Sequence, residues 1–285
     1  MEKKLYQINS IIGQEVIYKT QAGSMKEAVE IAVKNGVDLG GANLDGSDLV
    51  GANFASAKLG GASLKNADLR RSDLSDANMA YANLSGADFS GADLSNIALN
   101  NATLDGAKLI RANLDKADLE NASLIEGILI GSYLFSSNIK GADLSNANFE
   151  RANLEQADLR DAEMCGTNLK GACLIKACLR GNDIAFTRFH LADLAEADLQ
   201  SVHICGGSLF GTNLTDTDLS NADLRQTDLH GANLDCTNLT DANLEEADLE
   251  GAFLEFAILE NTNFTNAYLP RSDCEEVGVT NLDRL

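Results

Sequence analysis

Six cysteines, three histidines and 43 carboxylates are the groups in this 285-residue chain that could do chemistry, and their spacing argues against most of it. Cys165, Cys173, Cys178, Cys205, Cys236 and Cys274 do not form the paired clusters of a structural zinc site. His190, His203 and His230 have no acid and nucleophile grouped with them in a recognisable motif, and there is no glycine-rich phosphate loop. The expectation is no catalytic residue, no cofactor and no metal centre. With 43 acidic against 22 basic residues the net charge is −21. Direct nucleic-acid binding, which needs a basic footprint for the phosphates, is disfavoured.

What must position these groups is a repeat. From Leu39 to Leu269 every fifth residue is large and apolar, 47 positions in one unbroken frame, 37 of them Leu and the rest Phe, Met or Ile. Two residues earlier the position is Ala, Ser, Thr or Gly in 43 of the 47, as in Ala42-Asn43-Leu44-Asp45-Gly46. A period of five fits neither helix, strand nor heptad. A small and a large residue flanking a polar one is local strand alternation. The remaining two positions, rich in Gly, Asn and Asp, have the composition of a turn. Four such corners close a coil, so residue n stacks on residue n+20 at the strand spacing of ~4.8 Å, and about twelve coils result. The large residues fill the axis as four ladders, and a bigger residue at the small position would overfill it.

In this geometry no two cysteines are 20 residues apart, and Cys165 and Cys205, in one column, lie two coils or ~10 Å apart, too far for a disulfide. Free thiols in a reducing cytosol are expected. His190 and His230 share a column two coils apart. Asp48, Asp68 and Asp88 stack as like charges, which Arg70 and Arg71 can compensate, with a bound cation as the alternative.

The Ala-Asp/Asn-Leu-x-x run resembles the pentapeptide-repeat family, and the resemblance covers about 235 of the 285 residues. It implies an all-β solenoid, a right-handed quadrilateral parallel β-helix. The family includes DNA mimics that protect DNA gyrase from quinolones and toxins, and many members with no assigned role, so membership alone implies no function. Two departures set this chain apart from the gyrase-protecting subgroup. Its central position is mostly Leu rather than Phe, and its frame is never interrupted by projecting loops.

Residues 1–36 lie outside the frame and are read as a small α+β cap. Leu5-Tyr6-Gln7-Ile8 and Glu15-Val16-Ile17-Tyr18-Lys19 suggest a hairpin around Gly13, and Ser24-Met25-Lys26-Glu27 has the spacing of a capping box that opens a helix ending at Asn35-Gly36. A first coil left bare would be an open edge. Residues 37–271 form the β-helix, and 272–285 a C-terminal tail. No apolar run is long enough to cross a membrane, and the start lacks a signal-peptide core, so a cytoplasmic protein with no membrane partner is expected.

The exterior is polar except in two places. Ile125, Ile128, Ile130, Tyr133 and Phe135 occupy positions that elsewhere hold Asp, Asn, Ser or Lys, and Ile110 lies one coil before Ile130. A contiguous apolar patch of this kind marks a candidate partner-binding surface. Phe253, Phe256, Ile258 and Tyr268 form a second patch near the C-terminal end, to be covered by the tail or by a second copy across a two-fold axis. Gyrase-protecting members dimerise through this end, so the resemblance implies a possible homodimer. Between these patches, Asn182 and Val202 break the small-residue rule and a local distortion is expected near Asn182. Sorted by face, the repeats containing Leu39, Leu44 and Phe54 carry −5, −7 and −8, and that of Leu49 carries +1. The leading reading is a non-enzymatic protein–protein interaction scaffold. The alternative is a DNA mimic that binds a topoisomerase such as gyrase, or another DNA-binding protein, through its acidic faces.

Overall fold

The computed structural model describes residues 3–13 and 15–269. The tail 272–285 with Cys274, and Pro270 before it, lie outside the described residues. Contacts divide the chain into two compact units, Met1–Ala147 and Asn148–Leu285.

The first unit opens with β1 (Lys4–Ser10) and β2 (Val16–Ala22), an antiparallel pair with a register shift at Ile8 and Asn9. Both strands run further than the alternation suggested. Helix α1 (Met25–Lys34) starts at Ser24, whose hydroxyl accepts from the Glu27 N–H (3.1 Å), while the Glu27 carboxylate accepts from the Gly23 N–H (2.7 Å). β1 also pairs antiparallel with β3 (Ala42–Asn43), giving the order β2-β1-β3. From Asn43 onward the ladder is parallel, and residue n bridges n+20 at every fifth position, from Asn43↔Ser63 to Ser123↔Asp143. Each turn therefore has four sides. Each central residue donates its N–H to the next turn, as Leu44 to Ser63 O (2.7 Å), and the polar residue before it donates back, as Ser63 to Ala42 O (2.8 Å).

This pattern leaves the first turn with unpaired groups, and the N-terminal segment meets several of them. Lys26 Nζ donates to Val50 O (2.8 Å), Glu30 Oε1 accepts from the Asn53 N–H (3.1 Å), and the Ile11 N–H reaches Gly41 O (2.8 Å). These contacts close off an edge that could otherwise template strand addition.

The second unit has the same ladder, from Asn148↔Asn168 to Asp248↔Tyr268. In both units the central Leu, Phe, Met and Ile side chains and the small residues are buried, apart from Ser47 in the first turn and residues of the last turn. Every corner is a turn closed by an i to i+3 bond, such as Ala42 N–H to Leu39 O (3.0 Å). Its third residue has positive φ, between 53° and 73° along the coil, as a type II turn requires. Gly and Asn suit that position, yet Tyr81, Phe186, Leu191 and Phe256 also occupy it, each with its side chain exposed.

The expected distortion is present. Asn182 is buried, its Nδ2 donates to Leu159 O (2.8 Å), and its Oδ1 has no partner. Among the described residues the ladder passes from Asp158↔Cys178 to Asn168↔Arg188 with no bridge between Glu163 and Asp183. Nearby, the bond from the Phe189 N–H to Ser208 O is stretched to 3.4 Å.

Candidate functional site

Asp and Asn residues before the central residue do one job in turn after turn. Their carboxyl or amide oxygen accepts from the N–H two residues on, as Asn113 Oδ1 from Asp115 (3.1 Å), and fixes the corner. Asparagines also link turns, as Asn113 Nδ2 to Asp93 Oδ1 (3.1 Å) and Asn213 Nδ2 to Asp193 Oδ1 (2.9 Å). Much of the acidity is thus tied to backbone amides. Where Arg follows the Leu, the carboxylate is clamped a second time. Arg70 to Asp68, Arg160 to Asp158 and Arg225 to Asp223 are bidentate, with Nε at 2.8 Å in each. The hydrogen bonds from Arg70 and Arg225 hold the Asp68 and Asp223 carboxyls below the usual range. Asp48, Asp68 and Asp88 do stack in one column, and Arg70 is the neighbour that compensates them, its own pKa raised chiefly by Asp68.

The apolar band of the first unit runs over residues 125–135 of one turn. Ile128 bridges Lys108, Ile130 O accepts from the Arg111 N–H (3.0 Å) one residue after Ile110, and Tyr133 bridges Asn113. The N–H groups of Ile125 and Phe135 donate to Asp105 Oδ1 (3.2 Å) and Asp115 Oδ1 (3.0 Å) on the turn before. Tyr133 is 53% exposed, whereas Ile110, Ile125, Ile128, Ile130 and Phe135 are half-buried by their neighbours in the stack. The band is shallower than fully outward side chains would make it, and the exposed Lys108 and Arg111 border it.

In the second unit Phe253, Phe256, Ile258 and Tyr268 are all exposed, Phe256 to 78%. Leu254, Leu259 and Phe264 point inward but are only half-buried, unlike the central residues of earlier turns. Apolar side chains thus continue from the outer surface toward the axis.

In the second unit the column expected for His190 and His230 is present, and it holds more than the sequence reading connected. His190, Phe210 and His230 form a column of rings, with centroids 6.0 Å and 5.4 Å apart and the Phe210 and His230 planes within 4°. His230 Nδ1 lies 3.6 Å from Glu250 Oε2, and ligand atoms of His230, Asp248 and Glu250 all fall within 4.8 Å of one another. The n+20 rule, applied from His190 onward, passes through Phe210, His230 and Glu250 and was the signal that could have found it.

Cys165 and Cys236 are exposed and Cys173, Cys178 and Cys205 half-buried, all as free thiols. Burial pushes the Cys173 and Cys178 thiols up, so neither is an activated nucleophile. Cys205 lines a shallow cleft with Arg225, Gln226, Glu245 and Glu246. No described helix is long and apolar enough to cross a membrane.

The family model for pentapeptide repeats (8 copies) matches in overlapping segments from 35–71 to 142–181, then over 208–245 and 237–273. The gap at 182–207 coincides with the distorted stretch. No curated protein matches the sequence. Among solved structures, the chain is similar to HetL, a pentapeptide repeat protein involved in heterocyst differentiation regulation from the cyanobacterium Nostoc sp. strain PCC 7120. The identity is 30% over 88% of this chain and 98% of that one, with a TM-score of 0.39. A pentapeptide repeat protein from the Arabidopsis thaliana thylakoid lumen is 26% identical over 48% of this chain and 75% of its own, with a TM-score of 0.28. QnrB1, a plasmid-mediated fluoroquinolone resistance protein, is 17% identical over 74% and 91%, with a TM-score of 0.30.

Proposed function

This chain belongs to the pentapeptide-repeat family, and on that premise we propose that it is a non-enzymatic interaction scaffold that binds a protein through the band around Ile128, Ile130, Tyr133 and Phe135. One observation carries the reading: a single turn replaces the polar outer residues of the repeat with five apolar ones while leaving Leu124, Leu129 and Leu134 buried as usual. The coil does not need those residues to fold, and an apolar surface of that kind is what a protein partner covers. Ile110 extends the band, and Lys108 and Arg111 supply a polar rim. The same reading includes a right-handed coil, a cap at 1–36, a β-helix at 37–271 and a tail at 272–285, in a cytoplasmic protein. It also includes a possible homodimer formed through Phe253, Phe256, Ile258 and Tyr268.

A second reading is favoured by the charge. Three acidic faces and a net −21 suit a mimic of DNA that occupies the basic groove of a topoisomerase or another DNA-binding protein. Pull-downs from the source lysate at low and high salt, with wild type beside Ile130→Asp, separate the two. A partner that survives high salt and is lost in Ile130→Asp supports the scaffold. A DNA-binding partner that elutes with salt and ignores the substitution refutes it in favour of mimicry.

A further inference from the structure

We propose that His230, Asp248 and Glu250 form a surface site for a divalent transition-metal ion that bridges two successive turns of the second unit. The three ligand atoms lie within 4.8 Å of one another, one imidazole nitrogen and two carboxylate oxygens. Two ligands each ~2.1 Å from a metal stand about 3.0 to 3.4 Å apart at octahedral or tetrahedral angles. The His230 Nδ1 to Glu250 Oε2 separation of 3.6 Å is close to that spacing. It is also longer than the hydrogen bond a simple imidazole–carboxylate contact would form.

The backbone holds the donors in place before any ion arrives. Asp248 and Glu250 flank the buried Leu249, Glu250 opening the corner that follows, and the Glu250 N–H to Asp248 Oδ1 bond keeps the two residues together. His230 sits on the preceding turn, fixed by ladder bonds on either side, Leu229 N–H to Asp248 O and Gly231 N–H to Glu250 O, both 2.8 Å. Its own N–H donates to Asp228 Oδ1 (3.0 Å), and its ring is stacked on Phe210. Asp248 Oδ1 accepts from the Glu250 N–H (3.0 Å), which orients that carboxylate and leaves its second oxygen for a ligand. The remaining coordination positions face solvent, so water completes the shell. An imidazole among the donors selects a transition ion such as Zn²⁺, Co²⁺ or Ni²⁺ over Mg²⁺ or Ca²⁺, which prefer oxygen alone.

The chain contains its own control. His203 faces Asp223 at 3.8 Å, but Arg225 occupies the place after the Leu that Glu250 holds in the proposed site, and it clamps that carboxylate. Asp183 bridges His203 from the turn before, but among the described residues His203 belongs to no group of three donors close enough to share an ion.

The test is titration of the full, untagged chain with Zn²⁺ by calorimetry and with Co²⁺ by visible absorption, against Mg²⁺. One equivalent of Zn²⁺ is expected, together with a Co²⁺ ligand-field band. Affinity should fall by roughly tenfold or more in both His230→Ala and Glu250→Gln and stay unchanged in His203→Ala. Circular dichroism of the variants confirms that the coil is intact. Failure of Zn²⁺ to bind at millimolar concentration would overturn the proposal. So would binding that persists in His230→Ala, or Mg²⁺ binding as well as Zn²⁺, which would mark the acidic surface as a diffuse attractor.

Discussion

Replacing Asn182 with Thr should stabilise this protein, although it shortens a buried side chain that makes a hydrogen bond. The reason lies in how the small inward position handles polarity. Thr187, Thr217, Thr227 and Thr237 each donate their hydroxyl to the carbonyl 23 residues earlier, as Thr217 Oγ1 to Leu194 O (2.8 Å), and remain buried. Asn182 uses the same acceptor, Leu159 O, through Nδ2. It differs in carrying Oδ1, which is buried to the same depth with no partner. Threonine preserves the bond and removes the orphan. A net hydrogen bond is worth about 0.5 to 1.5 kcal/mol, and a buried unsatisfied acceptor costs about 1 to 3 kcal/mol. Asn182→Thr should therefore gain about 1 to 2 kcal/mol. Asn182→Ala gives up the bond as well and should gain less, yet still gain, because Leu159 O keeps the Ala162 N–H (3.2 Å) and is not stranded. Urea unfolding reads both variants as a rise in midpoint at constant slope. Slower hydrogen exchange at the His203 amide, which donates to Asn182 O, localises the effect. The reasoning fails if Asn182→Thr is no more stable than wild type, or if the Ala variant exceeds it.

Three further outcomes follow from particular contacts. Phe186, 72% exposed at φ 64°, sits in a left-handed corner that costs a bulky residue roughly 1 to 2 kcal/mol, so Phe186→Gly should raise the urea midpoint even though it deletes an aromatic ring. Lys26→Ala with Glu30→Ala frees Val50 O and the Asn53 N–H at the first turn, which should lower stability by about 1 to 3 kcal/mol and increase light scattering on storage. Asp68 and Asp223 have carboxyls depressed by guanidinium hydrogen bonds, so their contribution is complete above the unfolded-state value near 4 and disappears as pH falls through the lower folded-state value. The unfolding midpoint should accordingly be flat from about pH 7 to 5 and fall below about pH 4, with a smaller fall in Asp223→Asn.

The period of five carried the architecture because each position has one physical task. A large residue goes to the axis, a small one beside it, an oxygen acceptor before the Leu, and a left-handed residue after it. That is why the n+20 pairing, the buried Leu ladder and the burial of Asn182 could all be read before any coordinates. Surface chemistry was less legible, since side chains at the same kind of position differ in how far their stacked neighbours cover them. Ile130 and Tyr133 are both outward positions of one turn, yet only Tyr133 is more than half exposed. His230 was missed as a ligand for a related reason. Its partners lie 18 and 20 residues away, and a motif search along the chain sees three isolated residues where the fold makes one cluster.

The left-handed residue at every corner also determines how such a chain can change length. Gain or loss of one residue within a unit would push a wrong side chain into the turn and turn a Leu outward, and everything after it would be out of phase. A change of five keeps the axis filled but rotates all later surface residues by a quarter turn relative to the earlier ones, so a change of five between residues 230 and 250 would take His230 off Glu250. Only a change of twenty restores both interior and surface. The inheritable unit of folding here is five residues, and the inheritable unit of recognition is twenty.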